Sequence, residues 1–554
     1  MEESIEQNKA IETEHVGRKK LGGYRTMPFI IDPSTAAIII FLWNAGSNFM
    51  PLFGAFLSDS CLGRYRVIAW GTIIDLLGLI VLWLTAIIRH ARPDCKNGQT
   101  CETATGMQYL FLFTSLALMS FGAGGIRPCS LAFAADQINN PKNPKNARIM
   151  KSFFNWYYVS VGVSVMFSVV FIVYIQVKAG WIIGFGIPVG LMLFSSVMFF
   201  LGSFMYVKVK PNKTLLAGFA QVIVASWKNR HLTLPPHANN SGLWYFHSGS
   251  NLVQPTDKAR FLNKACIIKN REKDIDSNGM PTDPWSLCTV RQVEELKAVI
   301  KVLPIWSTGI TIAITISQQS FSVVQAGTMN RMVHNFEIPS TSYGAFGILT
   351  LTIWVAIYDR IIVPLLTKYT KKGKGLTLKQ RMGIGIAISC LATLVAALVE
   401  KKRRNEAIRE GFIDNPKGVV NMSAMWLVPQ HCLVGFAEAL NVIGQIEFFY
   451  SQFPKTMSSI AVAFFALGFG TGNLVASIIV KVVKIGTQRG GEVSWLSSNI
   501  NQGHYDYYYW LLTILGLVNL LYFLLCSWAY GSVEDIKNWD EEEVDTKCDE
   551  EEHM

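Results

Sequence analysis

The stretch GGYRTMPFIIDPSTAAIIIFLWNAGSNFMPLFGAFLSDSCLGRYR, Gly22 to Arg66, passes from a basic tail into an apolar segment and back to arginine. Its middle, Ala36 to Leu57, is long enough to cross hydrocarbon, which takes about 20 mostly apolar residues as a helix. Ten more such segments follow: Val67 to Ile88, Met107 to Leu131, Phe153 to Val177, Trp181 to Val207, Ala298 to Ala326, Tyr343 to Leu366, Met382 to Val399, Ala424 to Tyr450, Thr456 to Val482 and Tyr507 to Tyr530. Half of the 554 residues are apolar and only 16% are charged, a membrane composition. The expectation is an all-α membrane protein with about eleven spans.

Five spans precede a long hydrophilic stretch and six follow it. The expected organisation is a cytoplasmic tail over 1–35, an N-terminal bundle over 36–207, a cytoplasmic linker over 208–297, a C-terminal bundle over 298–530, and an acidic cytoplasmic tail over 531–554. The linker reads as proline-rich and charged, with little periodicity.

The formal net charge of +11 falls in short runs between apolar segments, as the positive-inside rule places it; nucleic-acid binding is not expected. With the linker inside, alternation puts Arg64, Arg66, the run Lys142 to Lys151 and the run Lys368 to Arg381 inside too. It leaves Lys401 to Arg404 outside, against the rule. Counting back through five spans also leaves the tail outside, although Arg18, Lys19, Lys20 and Arg25 belong inside. An even count removes the conflict, so one span is expected to be missing before Ala36.

Ten scattered cysteines include no pair of zinc spacing, so neither a metal nor another cofactor is expected. Cys95 and Cys101 share a short polar loop and are either disulfide-bonded or two free thiols. The first thirty residues lack a signal-peptide pattern. Matches to N-x-S/T at Asn212 and Asn239 fall in the linker, and that at Asn421 lies hard against a span. No nucleophile triad or phosphate loop occurs, and the chain is not read as an enzyme. The glycine clusters Gly122 to Gly125 and Gly468 to Gly472 lie within apolar segments and mark close helix packing.

Polar residues inside spans are costly unless they face other helices or a wet cavity. Asn44, Ser47, Asn48 and Pro51 share one helical face. Thr308, Thr311, Thr315, Gln318 and Ser322 form a second polar stripe, and Glu438, Asn441 and Gln445 a third. Arg127, in FGAGGIRPC, and Glu438, in GFAEALN, are ionisable residues well within spans, each costing roughly 2.5–3.5 kcal/mol or more by insertion scales. An Arg127–Glu438 pair between the bundles, breakable by protonation or by an anion, is one expectation; a static ion pair is the other. Asp75 either lies deep in its span or pairs with a loop arginine.

Several stretches together resemble the plant nitrate/peptide transporter family, the proton-dependent oligopeptide transporters of the major facilitator superfamily: FLWNAGSNFMPLFGAFLSDSCLGRYRVI, GAGGIRPCSLAFAADQ, SFFNWYYVSVGVSV, PWSLCTVRQVEELKAVIKVLPIW, IYDRIIVPL and VGFAEALNVIGQIEFFYSQFPKTM. Order and spacing match over nearly all of Leu21 to Trp528, and the subfamily containing low-affinity nitrate carriers is the most similar. The resemblance implies the major facilitator fold, two six-helix bundles rocking about a central site. It implies proton-coupled transport of a small polar or anionic solute, with nitrate favoured and peptides, plant hormones or organic acids as alternatives. The implied partners are that solute, protons and the bilayer of the plasma membrane, with association with other transporter subunits an open possibility.

Residue by residue, the resemblance assigns Gly54, Asp59, Gly63, Arg64 and Arg66 to a loop motif whose charges hold one conformational state. Arg127 takes the place of a basic residue of the family's fourth helix, and Glu438 matches an acidic one of the tenth. Phe154, Asn155 and Tyr157 fall in an aromatic signature, and Asp359 with Arg360 in a YDR element. The candidate substrate and coupling residues are therefore Arg127, Glu438, Asn44, Asn48, Tyr157, Thr311, Thr315, Gln318, Asn441 and Gln445; the candidate gating residues are Asp59, Arg64, Arg66, Asp359 and Arg360.

The departures are equally specific. Family members continue after TMPFII with a helix carrying ExxE[RK], the residues assigned to proton coupling; here Ile31 runs directly into DPSTAAIII, and no ExxE[RK] precedes the first span. A truncated, transport-deficient chain that is inactive or acts as a regulator is thus an alternative expectation. A phosphorylated threonine of one nitrate member aligns with Val67 and its substrate histidine near Ile316, so neither function is expected here.

Overall fold

The computed structural model describes residues 33–58, 62–91, 93, 95–96, 100–101, 104–138, 153, 160, 163–208, 215–234, 244–247, 254–276, 279–362, 364–365, 368, 376–416, 418–453, 458–488 and 492–531. The tails over 1–32 and 532–554, and Asp59, Phe154, Asn155 and Tyr157 among the candidate residues, lie outside them.

The N-terminal bundle contains α1 (Pro33–Leu57), α2 (Arg64–Ile87), α3 (Gly106–Ile138), α4 (Val163–Ala179) and α5 (Trp181–Leu201). Next come α6 (Leu215–Lys228), in the hydrophilic stretch, and the C-terminal bundle: α7 (Val290–Ser317), α8 (Gln319–Gly327), α9 (Gly344–Ile357), α10 (Leu378–Arg409), α11 (Val428–Gln452), α12 (Ser458–Thr487) and α13 (Tyr505–Tyr530). Among the described residues, nine helical stretches are long and apolar enough to cross a membrane, α7 and α8 together forming one of them. With the shorter α4 and α9, each of the eleven segments expected from sequence meets a helix. Exposed Phe194, Leu201, Leu521 and Leu525 give α5 and α13 an apolar outer face, which is the face hydrocarbon covers.

Glycine lets the N-terminal helices touch backbone to backbone. A Cβ on Gly124 would stand 2.5 Å from the Cβ of Met50 in α1, and one on Gly122 would stand 2.4 Å from the Cβ of Asp75 in α2. On the other side, a Cβ on Gly472 of α12 would meet Ala313 of α7 at 2.4 Å. Both glycine clusters are therefore packing surfaces.

The hydrophilic stretch is more ordered than its composition suggests. Val222 and Ala225 of α6 pack with Tyr245, Leu262, Ala265, Cys266, Cys288, Val293 and Leu296 into a small core at the foot of α7. That helix starts at Val290, inside the expected linker, because Thr289 and Gln292 form a capping box: the Gln292 N–H donates to Thr289 Oγ1 at 3.2 Å and the Thr289 N–H to Gln292 Oε1 at 2.9 Å. Thr377 and Gln380 open α10 in the same way. Such reciprocal bonds satisfy donors that a helix start leaves bare.

The cationic run Lys401 to Arg404 is not a loop. Helix α10 continues through it to Arg409, and Arg403 turns inward. Its Nη2 donates to Glu400 Oε1 at 2.7 Å with both side chains fully buried, and its Nη1 donates to Asn501 Oδ1 at 2.7 Å. One of the four cations in that run is thus neutralised in a buried pair, while Lys401 and Lys402 stay exposed. At the same side of the molecule, the strands Cys95–Lys96 and Thr100–Cys101 pair antiparallel with Cys95 opposite Cys101.

Candidate functional site

The bundles meet along α1 and α12. Gly470 of α12 admits the ring of Phe49, whose Cδ1 lies 3.2 Å from where a Cβ would stand. At the end away from α6, Ala37 and Phe41 of α1 enter a core shared with Phe321, Tyr505 and Tyr508. The Phe41 and Phe321 rings meet edge to face at 6.5 Å, and Phe321 meets Tyr505 at 5.5 Å. Burial follows: Phe41 is fully buried, whereas Phe53, about three helical turns toward α6 at 3.6 residues per turn, is 59% exposed. The far side is sealed between the bundles in this conformation.

On the α6 side, each bundle shows an arginine-to-carboxylate clasp among the described residues. Arg64, at the start of α2, donates from Nη1 to Asp136 Oδ2 near the end of α3 at 2.6 Å. Arg381, near the start of α10, donates from Nη1 to Glu447 Oε2 near the end of α11, also at 2.6 Å, while its guanidinium lies 4.6 Å from the Tyr358 ring centre. The halves thus repeat one device: the foot of one helix tied to the end of the next. Asp359 and Arg360 sit in the helical turn Tyr358–Ile362. Arg66 lies beside Arg64 in the first turn of α2.

Arg127 follows the glycine cluster on α3 and has an exposed side chain. Close contact at Gly122 sets Asp75 of α2 against α3, the helix that carries Arg127. Glu438 sits in α11, half-buried, and forms no ion pair with any described residue. Arg127 and Glu438 are not paired with each other; each is left on its own bundle while the far side is closed.

The remaining candidates divide. Asn48 Nδ2 donates to the Asn44 carbonyl at 2.8 Å, within α1. Asn441 Nδ2 donates to the Met382 carbonyl at 2.9 Å, and Gln445 Nε2 to Asn441 Oδ1 at 2.6 Å, which joins α11 to α10. Thr315 Oγ1 donates to the Thr311 carbonyl at 3.2 Å. Gln318, at the break between α7 and α8, accepts from the Tyr508 hydroxyl at 2.8 Å.

From that break a polar seam runs inside the C-terminal bundle. Ser322 meets His431 Nε2 at 3.0 Å, and Gln325 donates to Glu400 at 2.8 Å. Beside it, a cavity of about 30 Å³ is lined by Thr315, Gln318, Ser322, Thr393, His431 and Tyr509, room enough for a water molecule. Sequence reasoning missed Asp136, Glu447, Gln325 and His431. The helix-start arginines of the two halves were the available signal for the first two.

A two-bundle helical membrane protein with a clasp repeated in each half and an ionisable residue within a membrane helix of each bundle has the build of a membrane transporter. Residues 65–496 match the family model described as PTR2, POT family; the chain belongs to the POT family and is a multi-pass membrane transporter. It is 46% identical to Protein NRT1/ PTR FAMILY 1.2 of Arabidopsis thaliana, over 94% of this chain and 91% of that protein. It is 49% identical to Protein NRT1/ PTR FAMILY 1.1 of the same plant, over 90% and 86%. Among solved structures it is similar to an auto-inhibited POT family peptide transporter, with a TM-score of 0.67 and 20% identity over 94% of this chain and 95% of that one. The POT family transporter PepTSo gives 0.65 and 19% over 93% and 94%. At that identity the structures speak for the fold, which is that of the major facilitator superfamily.

Proposed function

We propose that this chain couples proton entry to movement of a small polar or anionic solute, nitrate first, across the plasma membrane, with the 208–297 segment on the cytoplasmic side. The observation that carries this reading is Glu438: a carboxyl in a membrane helix with no ion-pair partner among the described residues. An unpaired carboxylate at that depth is costly, and taking up a proton removes the cost. Arg127 then remains as a cavity cation, which suits an anion. Asn44, Asn48, Tyr157, Thr311, Thr315, Gln318, Asn441 and Gln445 are assigned to the cavity and its supporting shell. Asp59, Arg64, Arg66, Asp359 and Arg360 are assigned to gating. Peptides, hormones or organic acids of similar size remain the alternative cargo; one structural neighbour with a TM-score of 0.58 is a POT family transporter in complex with 5-aminolevulinic acid.

A second reading rests on the join TMPFII-DPSTAA, where the sequence lacks ExxE[RK]: a transport-deficient chain that is inactive or regulates intact subunits. The genomic interval between the codons for Ile31 and Asp32 decides whether a coding segment has been skipped. Uptake of labelled nitrate at acid and neutral pH, by this chain and by one with that helix restored, tests both readings. Acid-stimulated uptake by both supports the carrier; uptake by the restored chain alone supports the second reading.

A further inference from the structure

Helix α6 is apolar on two faces, and its own core uses only one. Val222 and Ala225 are fully buried against the small core of the 208–297 segment. The opposite stripe carries Ile223 and, one turn on, Trp227, which are 56% and 70% exposed. Phe261, 61% exposed, stands beside them, because Ser226 Oγ donates to the Phe261 carbonyl at 2.8 Å. A third large exposed apolar residue is thus held next to α6 by its backbone.

Cations border it. The Arg230 guanidinium lies 4.9 Å from the Trp227 ring centre, and Lys264 Nζ donates to the Arg230 carbonyl at 2.7 Å. Lys228 is partly neutralised by Asp283 at 3.5 Å. Tryptophan with flanking arginine and lysine on an amphipathic helix is the composition that settles at a membrane–water interface.

The position in the fold supplies the partner. Phe219, one turn before Ile223, packs both on the small core and on the membrane-bundle core containing Val302, Ile305 and Phe449. The start of α6 therefore touches the end of the bundle itself. The chain leaves α5, the last helix of the N-terminal bundle, through Phe204 and Met205, exposed by 84% and 75%.

We infer that the outer face of α6, Ile223 and Trp227 with Phe261 beside them, lies in the headgroup layer of the adjoining leaflet, with Arg230 and Lys264 directed at lipid phosphates. The segment between the bundles is thus a bilayer-resting element, and anionic lipid strengthens its seat.

The full chain labelled with 5-fluorotryptophan, in nanodiscs of phosphatidylcholine with or without phosphatidylserine, tests this, the Trp227 resonance being assigned by its loss in Trp227→Phe. Doxyl-labelled lipid is expected to broaden that resonance and a soluble gadolinium chelate to spare it, more strongly with phosphatidylserine. Arg230→Glu with Lys264→Glu is expected to reverse the preference between the two probes. A resonance broadened by gadolinium and untouched by doxyl lipid overturns the inference. So does one shielded from both, which assigns the face to a second copy or a protein partner.

Discussion

Glu400 and Arg403 stand one turn apart on α10, their side chains fully buried and joined at 2.7 Å. Around them Gln325, Asn501 and Thr328 complete the hydrogen bonding, so α8, α10 and the loop before α13 share one polar knot. Breaking such a pair leaves a buried charge unmatched and costs about 3–5 kcal/mol. Glu400→Gln is expected to lower the thermal midpoint of the detergent-purified protein markedly. Glu400→Leu with Arg403→Met should recover part of the loss. A single variant as stable as the parent contradicts the assignment.

The two clasps, Arg64–Asp136 and Arg381–Glu447, hold equivalent places in the halves. Their carboxylates are partly exposed, 21% and 48%, and a solvent-exposed pair contributes only about 0.2–1 kcal/mol. The expected effect of Asp136→Asn is a shift in the balance of conformations with little loss of fold, whereas Glu447→Gln leaves the buried Arg381 guanidinium, 8% exposed, without its carboxylate and should also cost stability. In Asp136→Asn the transport rate should fall while thermal stability stays near parental. Exchanging the charges, Arg64→Asp with Asp136→Arg, should restore part of the rate, and no restoration would sink the pairing.

The far-side seal rests on Phe41 between α1 and α8. Truncating a buried phenylalanine costs about 3–5 kcal/mol, here from the closed arrangement. In Phe41→Ala, a cysteine placed at Ala37 is expected to react faster with a membrane-impermeant maleimide added from that side. Unchanged labelling would show that the seal lies elsewhere.

Cys266 and Cys288 lie in the small core beneath α6, and burial pushes both thiols up to about 12 from an ordinary 9.0. Raised values favour the neutral folded form. Their contribution to stability is fully present below about pH 9 and is lost as pH climbs from there toward 12. Alkylation of these thiols by iodoacetamide should therefore stay slow at pH 8 to 9, by the same ionisation argument, and become fast in denaturant. Fast labelling of the native chain contradicts their burial.

Much of this was readable in advance. Span positions follow from apolar runs, and the contacts at Gly122, Gly124 and Gly472 from small residues within them. Arg127 and Glu438 stood out by charge in an apolar setting. The inward turn of Arg403 did not, because a run of four cations reads as solvated; the local hint was Glu400 three residues earlier. Asp136 and Glu447 find their arginines 72 and 66 residues away, a distance no local pattern crosses. The α7–α8 break at Gln318 has no proline or glycine to announce it.

The central claim is that Glu438 takes the coupling proton while Arg127 draws the anion. Proteoliposomes with an imposed inward proton gradient test it, comparing labelled nitrate uptake by the parent and by Glu438→Gln, with nitrate-for-nitrate exchange measured alongside. The account predicts gradient-driven accumulation by the parent, and a variant that has lost it while still exchanging nitrate. A variant that accumulates nitrate on the gradient as the parent does would contradict it.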